Sequence, residues 1–156
     1  MKRAMILTLS LAVLCAAPAM AQVEALGLGG TGAHWNADGD ITLTAFTGAN
    51  IYVQKGTDLS VLNRTIYRWS NEAGTANEPQ SIETYLLSKI PVYGKWFVTL
   101  GGGADMEIND AEDKTHFAML FEIGRQVYQV DLFCGLNVVS KEDAKHTYAY
   151  VGISLN

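Results

Sequence analysis

The sequence predicts an all-β chain, an eight-stranded antiparallel up-and-down transmembrane β-barrel, from three observations. Eight segments alternate apolar and polar side chains at period two, the signature of half-buried strands. The links between them alternate too, longer and more acidic at one end, short at the other. The chain also opens with the three parts of an export signal. No 3.6-residue apolar period persists, and no later apolar run reaches the ~20 residues of a membrane-spanning helix.

The signal reads Met1-Lys2-Arg3, an uncharged stretch to Ala17, then Pro18-Ala19-Met20-Ala21. A basic start, a short apolar run and a small-x-small ending place cleavage after Ala21. Residues 1–21 are therefore expected to be removed and residues 22–156 to form one barrel domain. Leu14 stands where a small residue should precede a lipidated Cys15, which argues against a lipid anchor. Cleavage leaves Cys134 alone, so no internal disulfide can form. The formal net charge of −5 drops by two more when Lys2 and Arg3 are lost, which excludes a nucleic-acid partner.

In chain order the first segment, Glu24–Trp35, is too rich in glycine for its faces to be assigned. Its Gly27-Leu28-Gly29-Gly30-Thr31-Gly32 fits G-x-G-x-x-G, but no helix pattern follows to receive a pyrophosphate. The glycines read instead as easing close packing where the barrel closes. Segments two to four are Ile41–Gln54, Leu59–Ser70 and Ser81–Val92. The fifth, Lys95–Ile108, sets Trp96, Val98 and Leu100 against Lys95, Phe97 and Thr99. The sixth, Thr115–Gly124, sets Phe117, Met119 and Phe121 against His116, Ala118 and Glu122. Segments seven and eight, Tyr128–Val139 and Thr147–Leu155, alternate in the same way.

The first, third, fifth and seventh links carry acids such as Asp38, Glu72, Glu78, Asp110, Glu112, Asp113, Glu142 and Asp143. The even links, around Gly56, Gly94 and Gly124-Arg125-Gln126, are tight. Loops outside, turns on the periplasmic side and both termini on the turn side are what a transmembrane barrel requires. In these features the chain resembles the small eight-stranded outer-membrane barrels of the OmpA and OmpX type, over essentially its whole mature length. One departure is its ending, Leu155-Asn156, where such barrels end on an aromatic residue. The resemblance implies a Gram-negative outer membrane, surrounding lipid, and no cofactor.

With apolar faces outward, charges converge on a lumen too narrow for a water channel. The basic set is Arg64, Arg68, Lys89 and Lys95, and the acidic set Glu83, Asp105, Glu107, Glu122 and Asp131. Four against five predicts cross-lumen pairs that fill the barrel, since unpaired buried charges cost several kcal/mol each. Symmetric pairing about the third link sets Arg68 opposite Glu83 and Asn63 opposite Ser88. Trp35, Trp69 and Trp96 fall near strand ends, where aromatic belts sit. Asn63, Thr65, Thr84 and Ser88 are polar on the outward face, which marks either an interface or a local register error. His34, His116 and His146 read as exposed loop residues with no metal-site spacing, and Cys134 as an outward apolar group.

Arg68-Trp69-Ser70-Asn71, with Glu83 beyond it, is similar to the His-x-Ser-Asn stretch of outer-membrane lipid A deacylases. That resemblance implies Ser70 as nucleophile and Glu83 as the group orienting the base. Arg68 stands at the histidine position, however, and a guanidinium cannot take the serine proton. The expected function is therefore a non-enzymatic barrel acting through acidic surface loops in envelope integrity or surface interaction. The alternatives are a deacylase-like hydrolase and a soluble periplasmic, lipocalin-like binder of apolar ligands, which requires charges outside and apolar groups inside.

Overall fold

The computed structural model describes residues 24–35, 39–70, 81–108, 114–141 and 145–156. The expected signal peptide and the central parts of the acidic links lie outside the described residues. Eight strands follow in order: β1 (Glu24–Trp35), β2 (Ile41–Gln54), β3 (Ser60–Ser70), β4 (Ser81–Tyr93), β5 (Trp96–Glu107), β6 (Thr115–Val127), β7 (Val130–Ser140) and β8 (Lys145–Leu155). Each pairs antiparallel with the next, and β8 pairs with β1, so the sheet is closed and has no free edge.

Alternation decides what lies inside. On β6 the odd residues Phe117, Met119 and Phe121 are exposed, while His116, Ala118, Leu120 and Glu122 are buried. On β7 the exposed set is Leu132, Cys134, Leu136 and Val138, and Asp131, Phe133, Asn137 and Val139 are buried. β1, unassigned from its sequence, turns Leu28 and His34 inward and leaves Ala25, Gly27 and Trp35 outside. Exposed apolar and buried charged side chains are the reverse of a lipocalin-like interior.

Two glycines make the closing seam narrow. A Cβ at Gly30 would overlap the Val151 carbonyl oxygen and the Phe46 ring, and one at Gly32 would overlap the Ala149 carbonyl and Tyr150. The fingerprint-like run is thus a packing device between β1 and β8.

The bounds of six strands, β3 to β8, and one register differ from the sequence expectation. β6 runs to Val127 and turns at Tyr128-Gln129, not at Gly124-Arg125-Gln126. Gly124 is a packing glycine: a Cβ there would overlap the Phe97 ring. Tyr128, exposed and at φ 57°, occupies a backbone conformation that bulky residues rarely adopt. β4 ends in a two-residue turn with Gly94 at φ 57°, the glycine-first geometry that matches strand twist. Lys95 therefore belongs to the turn and not to β5.

Between β3 and β4, Arg68 faces Ser81 and Asn63 faces Leu86, two residues from the symmetric pairing. An even slip keeps every side chain on its face. Register here follows the stagger imposed by closing the whole sheet, which a loop's midpoint does not report.

Gly32→Val is expected to destabilise the barrel by about 2 kcal/mol or more by overpacking the seam. Gly27→Ala, whose Cβ would meet nothing within 4 Å, is expected to be near neutral. Urea titrations of both variants folded in detergent micelles check this, and equal midpoints would remove the seam argument.

Candidate functional site

The inward faces of β3 to β7 deliver charged groups to one axis, where three ion pairs stack from the loop end to the turn end. Nearest the loops is Arg68 on β3 with Glu83 on β4, both side chains at most 3% exposed. Arg68 Nε donates to Glu83 Oε1 and Nη2 donates to Oε2 at 3.1 Å. Tyr85 Oη and Asn137 Nδ2 also donate to Oε2, at 2.6 and 2.9 Å. The guanidinium lies 4.4 Å from the Tyr148 ring centroid, a cation–π contact in a dry setting. Although the two residues are not register partners, the long arginine reaches the diagonal position.

The middle pair is Arg64 with Glu122, reaching from β3 to β6 across the lumen. Arg64 Nε donates to Asn50 Oδ1 at 2.7 Å, and Tyr150 Oη donates to Glu122 Oε1 at 3.0 Å. Asn50 Nδ2 passes the network on to Ser154 Oγ at 2.9 Å. At the turn end Lys89 pairs with Asp131 and lies 4.3 Å from the Phe97 centroid. Further hydrogen bonds help such buried pairs to be tolerated, although Arg68 Nη1 and Glu122 Oε2 have no hydrogen-bond partner among the described residues.

The other expected lumen charges are placed differently. Asp105 is buried directly across from Glu83, and its Oδ1 has no hydrogen-bond partner among the described residues. Glu107 sits at the loop mouth with Lys141, and His116 Nε2 lies 3.8 Å away. Lys95 is a correction: it is exposed in the β4–β5 turn and takes no place among the stacked pairs. The histidines are another. His34 and His116 are buried at the loop end of the lumen, and His34 Nε2 lies 2.8 Å from His146 Nδ1. His34 also stacks on Tyr148 with centroids 4.3 Å apart. Even-numbered positions on β1, β6 and β8 all point inward, a parity signal that the sequence carried for β6 and β8.

Of the tryptophans, Trp35 and Trp69 lie near the loop end and Trp96 at the turn end, with Trp35 and Trp96 exposed. The outward polar set is only partly brought together. Thr65 faces Thr84, while Ser88 faces Val61 and Leu100. Asn63 Nδ2 donates to the Tyr85 carbonyl at 3.2 Å, so its amide bonds the barrel's own backbone. Ser70 ends β3 across from Thr44, and its side chain lies outside the described residues. Glu83, expected as the orienting acid of a hydrolase, has both oxygens bonded to a guanidinium, which cannot serve as base.

Arg68→Met is expected to cost about 3–5 kcal/mol, because it leaves Glu83 buried without its countercharge. Adding Glu83→Leu is expected to recover part of that loss. Urea unfolding of both variants in lipid vesicles decides it; if the double variant is as unstable as the single, charge pairing is not what the site contributes.

No family model matches the chain, and no curated protein matches it. Solved structures do. The crystal structure of Neisserial surface protein A superposes with a TM-score of 0.54 at 11% identity, covering 84% of this chain and 95% of that one. The Yersinia pestis outer membrane protein Ail, determined in a phospholipid bilayer nanodisc, gives 0.50 at 8% identity over 85% of this chain and 99% of its own. At such identities the likeness is one of fold: the chain shares the closed eight-stranded antiparallel barrel of these outer-membrane proteins. The comparisons give no support to the deacylase resemblance.

Proposed function

We propose that the chain is an integral, non-enzymatic protein of a Gram-negative outer membrane, exported by its signal peptide. Its lumen is closed by its own side chains, and its work is done by the acidic loops in envelope integrity or in contact with host or phage components. The observation that carries this reading is the inverted polarity of the barrel. Arg64, Arg68, Glu83 and Glu122 are buried in the interior, while Leu43, Leu86, Phe117 and Met119 are 57–66% exposed outside. Water cannot stabilise that exterior, and hydrocarbon can.

Further features support the placement. Tryptophans near both ends of the barrel suit the two interfaces of a bilayer. The stacked ion pairs and the rings of Phe46, Phe97, Phe133 and Tyr150 occupy the axis that a solute would need. The chemistry left for partners is at the loop end, where the sequence concentrates Asp110, Glu112, Asp113, Glu142 and Asp143 outside the described residues.

Protein taken from an outer-membrane fraction is expected to migrate faster on a gel unboiled than boiled, because a folded barrel resists detergent. Recovery from the soluble periplasm without a shift would sink the membrane placement. In planar bilayers the purified barrel is expected to give no steady conductance, and a stable single-channel current would overturn the closed lumen. Ser70→Ala is expected to leave lipid A acylation in cells unchanged; a difference by mass spectrometry would restore the hydrolase.

A further inference from the structure

The exterior is not uniform. At the turn end an open apolar groove of about 1050 Å³ crosses β6, β7, β8 and β1. Its floor is set by the pairing. Trp96, Arg125, Leu132, Ile153 and Gly29 are successive register partners across five adjacent strands, forming one outward row. The row above it runs Val98, Ile123, Cys134, Val151 and Thr31. Above these come Phe121 and Leu136. On β1 the outward positions Gly27 and Gly29 carry no side chain, and a Cβ at Gly27 would meet nothing within 4 Å. From Val151 to Leu155 the groove follows about 13 Å of strand, of the order of one leaflet's share of a ~30 Å hydrocarbon core.

One feature of this groove is chemically out of place. Among the described outward side chains of the strands, Arg125 is the sole charged one. It lies at the groove's rim, its guanidinium 5.6 Å from the Trp96 ring centroid. A cation held against an indole at the turn end of an apolar trough is matched in charge and position to a lipid phosphate, which arginine recognises through its planar fork. We propose that the trough seats one acyl chain of an anionic glycerophospholipid of the periplasmic leaflet, whose phosphate pairs with Arg125. The inference rests on the membrane placement proposed above and adds a specific lipid seat to it. Simple snorkelling of Arg125 into the headgroup layer predicts a general attraction of anionic lipid but no role for the glycines.

Trp96 reports on the site directly once Trp35 and Trp69 are replaced by Phe. This protein is reconstituted in phosphatidylcholine vesicles holding about 10 mol % of brominated phosphatidylglycerol, and separately of brominated phosphatidylcholine. Quenching by the anionic lipid is expected to indicate a local enrichment of up to about fivefold, the scale one basic side chain supports at an anionic membrane surface. Arg125→Gln is expected to abolish the excess and Arg125→Lys to retain part of it. Gly27→Leu fills the trough and is expected to reduce the excess while keeping the heat-dependent gel shift. Equal quenching by the two lipids overturns the site. An excess lost in Arg125→Gln but untouched by Gly27→Leu overturns the acyl seat. No quenching in vesicles made wholly of brominated phosphatidylcholine shows instead that Trp96 is outside a bilayer, and the membrane placement itself fails.

Discussion

Closing eight strands into a barrel leaves an axis wide enough for side chains and little else, and that narrowness governs the molecule. Every strand contributes alternate residues to the same small volume, so charges brought there have no recourse to bulk water. Arg64 and Arg68 are almost wholly buried, and each meets a carboxylate that is buried as deeply. Desolvating either partner alone would cost several kcal/mol, so the pairs must form together or not at all. They also link distant parts of the chain: Arg64 and Glu122 are separated by 58 residues, and Lys89 and Asp131 by 42. A one-residue slip of β3 would turn both arginines outward and leave Glu83 and Glu122 without countercharge. Charge pairing thereby specifies register as well as filling space.

The glycines are the complement of that filling. Phe46 fits because Gly30 lies beneath its ring, Phe97 because of Gly124, Phe133 because of Gly152, and Tyr150 because of Gly135. Each large ring faces a strand position with no Cβ, so the interior interlocks without widening the barrel. The rings then meet the ion pairs: Arg68 stacks on Tyr148, Arg64 lies over Phe133, and the Phe46 and Phe133 edges close on Tyr150.

Strand number and facing were legible in the sequence because alternation is a local signal. Whether Phe117 or Ala118 points outward depends only on parity and on each residue's own chemistry, so β6, β7 and β8 could be read directly. Cross-lumen partners depend on the stagger of the whole sheet, which no single segment encodes. Arg68 and Glu83 are paired, but diagonally, through a register two residues from the one expected. Glycine serves both turning and packing, and at Gly124 only the Phe97 ring distinguishes the two. Arg125, next to it, therefore belongs to β6 and faces outward. His34 and His116 fall within the expected bounds of β1 and β6, where parity turns them into the lumen, and only His146 depends on the earlier start of β8.

β1 is where interior and exterior demands meet. From Gly27 to Gly32 four of six residues lack a side chain, and the glycines divide by parity. Gly30 and Gly32 yield inner space to Phe46 and Tyr150, while Gly27 and Gly29 leave the outer surface low beside Val151, Ile153 and Leu155. The barrel wall there is little more than backbone, held by ladders to β2 and β8. The same composition that made this segment unreadable for facing is what lets aromatic rings fill the inside. On the outside it leaves a trough beside β8 that ends, three strands away, at Arg125. A side chain added to the inner glycines would press on the seam, whereas one added at Gly27 would only change the shape shown to the surroundings. The two faces of one strand thus carry separate constraints, the inner one on stability and the outer one on what the barrel can hold against its surface.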